Sequence, residues 1–158
     1  MLNIERRRLL LASLALGLPG LALAAPAKVL VEVWKSPYCG CCKDWIAHLE
    51  GAGFAVRAHE VGDLDGVRRQ LGMPERYASC HTAKVAGYLL EGHVPAADIR
   101  RLLAEKPSAI GLAVPGMPVG SPGMDGPAYN GRRDPYDVLL VRRDAGASEI
   151  GRASCRGR

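Results

Sequence analysis

The chain has 158 residues, 21 basic and 16 acidic side chains, a formal charge of +5, and a composition 48% hydrophobic but only 5% aromatic. That length allows one compact domain with a real core rather than a miniprotein stapled by its cysteines. The basic excess is modest and spread over the pairs Arg68-Arg69, Arg100-Arg101, Arg132-Arg133 and Arg142-Arg143, with no interleaved aromatic residues. It therefore argues against a nucleic-acid partner and reads as solvated faces.

Residues 1–24 read as a cleaved export signal. Arg6, Arg7 and Arg8 precede the apolar run 9–23, and Ala22-Leu23-Ala24 offers small residues for cleavage. The consecutive arginines also permit twin-arginine export, although Arg7-Arg8-Leu9-Leu10-Leu11 matches that pattern only in part. Pro19 and Gly20 interrupt a segment already short for spanning, so no stable membrane insertion is expected after cleavage. Loss of Glu5 and Arg6 to Arg8 with the signal lowers the formal charge from +5 to +3. Export places the rest outside the reducing cytosol, where disulfides persist and toxic metals are met.

The remaining chain divides into a domain over residues 28–143 and a small, polar tail over 144–158, expected to be mobile. Residues 29–34, VLVEVW, alternate and are rich in β-branched side chains, which predicts a strand. Ser36 and Pro37 stop it, and a helix follows with Trp45, Ile46 and Leu49 on its buried side and Gly51 and Gly53 at its end. Between strand and helix stand Cys39, Cys41 and Cys42. At that turn the first helical N–H groups lack intrahelical partners and the macrodipole is positive, so a thiolate is favoured.

Cys39 and Cys42 form the C-x-x-C frame of a redox pair, and Cys41 adds a third sulfur. A structural disulfide uses only two sulfurs. Converging soft donors suit Cu(I), zinc or iron–sulfur chemistry and can bridge more than one ion. The plainer alternative is a structural bridge with a spare thiol.

Residues 54–61 alternate as a second strand, Asp63 caps a short helix reaching Leu71, and Gly72, Met73 and Pro74 end it. The order βαβα implies a parallel first pair of strands. Residues 74–81 form a loop delivering Cys80 and His81. The run from Thr82 to Val94 reads as two short strands broken near Gly87, or one bulged strand, before Pro95 opens a helix with Ile99, Leu102 and Leu103 inward and Pro107 at its end. Residues 110–114 are apolar, residues 115–131 are a Gly/Pro-rich irregular stretch, and residues 136–141 form the last strand.

Among the other candidate ligands, Cys80 stands in the polar context Ser79-Cys80-His81-Thr82, which favours a fourth sulfur at the site over a buried structural thiol. His81 accompanies it. Met117 and Met124 offer thioether sulfur in a loop with little core to pack into. His48 would lie about 9 Å along the helix axis from Cys42, too far to share a metal. His59 reads as a partly exposed strand residue and His93 as a turn or capping residue; Cys155 lies in the tail.

Several separated segments together resemble the CopG-like family of exported bacterial copper-resistance proteins, long catalogued as a domain of unknown function. They are Ser36-Pro37-Tyr38-Cys39-Gly40-Cys41-Cys42, Ser79 to Thr82, Gly87-Tyr88, Glu91-Gly92-His93-Val94-Pro95, Val114 to Pro118 and Gly120-Ser121-Pro122-Gly123-Met124. The resemblance spans residues 29–141. It implies an α/β, thioredoxin-like domain: a central mixed sheet flanked by helices, with an inserted strand/hairpin-helix segment. It also implies a periplasmic protein that binds copper at its cysteines and interconverts Cu(I) and Cu(II). Gly116-Met117-Pro118 resembles the thioredoxin segment whose cis proline faces the active-site cysteines, which would place Met117 beside the cluster.

On this reading Cys39, Cys41, Cys42 and Cys80 bind one or more Cu(I) ions, His81 or Met117 completes coordination, and Cys39 with Cys42 carries the redox chemistry. Other periplasmic copper-handling or redox proteins would be its partners. Two alternatives stand beside it. A thiol–disulfide oxidoreductase acting on proteins would use Cys39 to attack and Cys42 to resolve. A passive Cu(I) store or chaperone would need the same sulfurs without a redox cycle. Structural zinc usually pairs two C-x-x-C knuckles, and only one is present.

Overall fold

The computed structural model describes residues 27–143 and the backbone of residues 147–153. The expected signal segment and Cys155 lie outside the described residues. Seven strands form one mixed sheet in the order β2-β1-β3-β4-β5-β6-β7. Strand β1 (Leu30–Lys35) leads into helix α1 (Gly40–Gly51), and β2 (Ala55–Glu60) then pairs parallel with β1, as the βα order implies.

Helix α2 (Leu64–Leu71) begins where Asp63 accepts the Gly66 N–H at 2.8 Å and ends at Gly72, whose φ of 90° suits a residue without a Cβ. The predicted break near Gly87 is a two-residue turn. Ala86 (φ 45°) and Gly87 (φ 88°) both adopt positive φ and join β3 (His81–Val85) to β4 (Tyr88–Glu91) as an antiparallel hairpin.

Strand β3 also pairs antiparallel with β1, and helix α3 (Ala96–Glu105) follows β4. These elements make the thioredoxin-like half of the sheet. Strand β5 (Gly111–Ala113) extends it parallel to β4, and β6 (Tyr136–Val141) adds antiparallel to β5. Beyond the strand read as the last, β7 (Ala147–Ala153) pairs antiparallel with β6 across a register shift at Val138/Leu139. The free edge of β6 supplies that ladder, a partner that local composition does not reveal.

Alternation along the strands builds a core on each face. Val31, Val33, Leu90 and Leu112 meet Trp45 and Leu49 of α1 and Ile99 and Leu102 of α3. On the other face Leu89, Ala113 and Val141 meet Met73 and Tyr77. Arg68 of α2 departs from the reading as a solvated charge. It is 2% exposed, because Glu91 in β4 offers a buried carboxylate to receive it. Among the described residues no helix is long and apolar enough to cross a membrane.

Candidate metal centre

The turn after β1 is closed by the Cys39 N–H, which donates to the Ser36 carbonyl at 3.1 Å. Cys39 is then the N-cap of α1, Cys41 lies in the first turn, and Cys42 points into the core with no exposed surface. Cys80 reaches the same place through the sheet. Lys35 at the end of β1 stands opposite His81 at the start of β3, so the residue before β3 must fall at the helix start. The four sulfurs of Cys39, Cys41, Cys42 and Cys80 all lie within 4.8 Å of one another.

Within the group, Cys39 and Cys42 are joined in a disulfide, while Cys41 and Cys80 carry free thiols. Cys41 Sγ is 3.5 Å from Cys39 Sγ and 3.9 Å from Cys80 Sγ. Burial, and then the neighbouring Cys41, push the Cys80 thiol up to about 12. A cation that screens these sulfurs from one another would reverse that penalty, since metal ligation requires the deprotonated thiol.

Cys80 also belongs to a second group, with His81 and His93, whose ligand atoms again lie within 4.8 Å of one another. Cys80 Sγ is 3.4 Å from His81 Nδ1 and 3.1 Å from His93 Nε2. Both imidazoles are fully buried, and burial holds both below the ordinary value, that of His81 well below. They are neutral bases at pH 7 and able to offer a lone pair. His93 Nδ1 lies 2.8 Å from the Pro122 carbonyl and must donate to it, which leaves Nε2, facing the sulfur, without its proton. His81 Nε2 is buried with no hydrogen-bond partner. His81 Nδ1 and His93 Nε2, two nitrogens of neutral imidazoles that both face Cys80 Sγ, fit a soft metal ion shared with the sulfurs.

Trp45 of α1 closes the floor. Its ring centroid is 4.2 Å from that of His81, and its Nε1–H donates to the Val94 carbonyl at 2.9 Å. From the other side the irregular loop after β5 presses Gly123 onto α1. A Cβ there would lie 2.6 Å from Trp45 N and 2.7 Å from the Cys41 carbonyl oxygen. Next to it Met124 is buried and accepts a hydrogen bond from the Tyr129 hydroxyl at 3.1 Å.

The sequence-selected residues thus divide. Cys39, Cys41, Cys42, Cys80 and His81 come together. Met117 is 54% exposed, one residue beyond Gly116, whose carbonyl accepts from the Ser79 hydroxyl. The cis-proline expectation fails. No cis peptide bond occurs among the described residues, and the segment facing the helix start is Ser79-Cys80. His48 is apart, as expected; its Nε2 accepts the Ala96 N–H at 3.1 Å and so caps α3. His59 stacks on Trp34.

His93 is the residue that sequence reading missed. The signal was present in the hairpin. A two-residue turn at Ala86-Gly87 sets Thr82 opposite Glu91, and two more steps bring Cys80 opposite His93.

Two solved structures share this arrangement of elements. They are described as copper resistance protein CopG, forms 2 and 1. Each is 45% identical to the chain, covering 80% of it and 98% of the matched structure, with TM-scores of 0.74 and 0.73. The chain belongs to the CopG family of copper resistance proteins. The family described as "Protein of unknown function, DUF411" matches residues 77–124, the stretch of this CopG-family chain that carries Cys80, His81, His93 and Gly123. No curated protein is similar enough to count as a match.

Proposed function

We propose that this CopG-family chain is a periplasmic copper-binding protein in which cysteine oxidation is coupled to copper reduction. The observation that carries the reading is the convergence of four sulfurs and two buried neutral imidazoles on Cys80. Cys39, Cys41, Cys42 and Cys80 as thiolates hold Cu(I), with His81 completing coordination and His93 joining them through Nε2. Copper here is the substrate and cargo.

In the redox step the thiolates of Cys39 and Cys42 lose two electrons and form the S–S bond, while two Cu(II) ions each take one electron and become Cu(I). That pair is the one bonded in the structure. Removing two thiolates weakens the hold on the metal, so reduction and release are linked. Export through residues 1–24 and hand-over to other periplasmic copper proteins belong to the same reading.

Mixing the reduced protein with Cu(II) under anaerobic conditions tests it. The Cu(II) paramagnetic signal should disappear with two Cu(I) formed for each disulfide. The Cys39→Ser variant should neither cycle nor bind Cu(I) tightly. Full cycling and binding by Cys39→Ser would overturn the assignment.

A second reading has one observation in its favour: Cys39 is half-exposed and Cys42 buried, the asymmetry an attacking and a resolving thiol require. As a protein thiol–disulfide oxidoreductase, the chain would reduce a disulfide-bonded protein substrate equally well after Cys80→Ser. The copper reading predicts that this variant loses tight Cu(I) binding.

A further inference from the structure

Cys80 is shared by both ligand groups yet lies one residue before β3, outside the regular ladder, so its position depends on Ser79. Ser79 is gripped through both backbone groups. Its N–H donates to Glu91 Oε1 at 2.8 Å, and its carbonyl accepts from Arg68 Nη2 at 2.9 Å. Its hydroxyl donates to the Gly116 carbonyl. The two gripping side chains hold each other, Arg68 Nε to Glu91 Oε1 at 2.9 Å, and Thr82 Oγ1 donates to Glu91 Oε2 at 2.6 Å. Arg68 also reaches the exposed Asp65.

Arg68 is 2% exposed and Glu91 not at all. A buried ion pair is weak evidence for stability, because apolar residues of similar volume often replace one at no cost. Apolar residues could not bind the N–H and the carbonyl of one loop residue at once. Glu91 is also two residues from His93, with only Gly92 between. Gly92 has a φ of 70°, and a Cβ there would come within 2.6 Å of Ser79 Oγ. The Cys80 segment and the His93 segment are therefore fastened to each other by the same carboxylate.

We propose that Arg68 and Glu91 are positioning residues that, through Ser79, fix Cys80 Sγ against Cys41 and His93 and thereby set how tightly the shared group holds copper. The affinity part rests on the copper reading above. The placement of the thiol is measurable without metal.

The test is site-resolved alkylation of the purified, oxidised, metal-free protein, in which the Cys39–Cys42 disulfide leaves Cys41 and Cys80 of the centre to be compared, with Cys155 of the tail read separately. In the unmutated protein Cys80 should react more slowly than Cys41. In the double variant Arg68→Met/Glu91→Leu the Cys80 rate should rise about tenfold relative to Cys41, as the thiol leaves its buried place. After reduction, its Cu(I) affinity should fall about tenfold or more.

Glu91→Gln should restore the unmutated ratio, since its amide oxygen still accepts from Ser79 and its amide nitrogen donates to Thr82. If the double variant does not fold, Arg68→Lys carries the test: it keeps the charge but loses the fork that reaches Glu91 and Ser79 together. Its Cys80 rate must then rise. A folded double variant, or Arg68→Lys, with the unmutated alkylation ratio would overturn the proposal. Absence of Cu(I) binding by the unmutated protein would count against the copper reading alone.

Discussion

His93 shows how one hydrogen bond decides what a side chain can do. Donation of its Nδ1 proton to the Pro122 carbonyl fixes the tautomer and aims a lone pair at Cys80 Sγ, 3.1 Å away. Replacing His93 with Ala should lower Cu(I) affinity about 10- to 100-fold, measured by competition with a Cu(I) chelator. An unchanged affinity would remove His93 from the ligand set.

Burial of His81 and His93 also has a pH consequence. The imidazoles are held below 6.5 in the folded, metal-free protein, so below that pH the unfolded chain takes up protons that the folded chain refuses. Stability is then fully present above about pH 7.5 and is lost as the pH falls through about 6.5 toward the folded values. The urea midpoint should be level between about pH 7.5 and 8 and fall below that window, with His93→Gln reducing the slope. A midpoint constant from pH 8 to 5 would contradict the two buried neutral bases.

At the scale of elements, the site is the meeting of one turn, one hairpin and one irregular loop. The loop touches α1 where Gly123, at φ 83°, leaves room for the backbone of Cys41 and Trp45. Gly123→Ala should cost about 1–3 kcal/mol, seen as a lower thermal midpoint. It should also speed alkylation of Cys41 as the loop lifts. Trp45→Ala, which empties the floor beneath His81, should cost about 3–5 kcal/mol.

The turn and the hairpin were legible in the sequence for physical reasons. A β-branched run, the Ser36-Pro37 stop and a helical period declare the strand, the turn and the helix bearing the cysteines. Gly72 and Gly87 declare a cap and a turn. The loop was legible only as irregular. Its contacts run from Gly123 to α1 and from Pro122 to His93, across distances that no local period encodes. For the same reason Arg68 looked like a surface charge, since its partner Glu91 lies 23 residues away.

For the molecule as a whole, the sheet brings chemistry from four places to one end. The end of β1, the start of β3, the exit of β4 and the loop after β5 carry Cys39 to Cys42, Cys80 and His81, His93, and Pro122 to Met124 respectively. The added strands β5 to β7 extend the sheet and bracket that loop. In the proposed function these sulfurs act together on copper. That joint action is tested most directly by anaerobic Cu(I) titration of the reduced protein, with the metal-to-protein ratio and the free-thiol count read at every step. More than one copper per chain is expected, with Cys39, Cys41, Cys42 and Cys80 all protected. Weak binding or none, with Cys39 free and fast-reacting, would contradict it and favour the protein thiol–disulfide oxidoreductase.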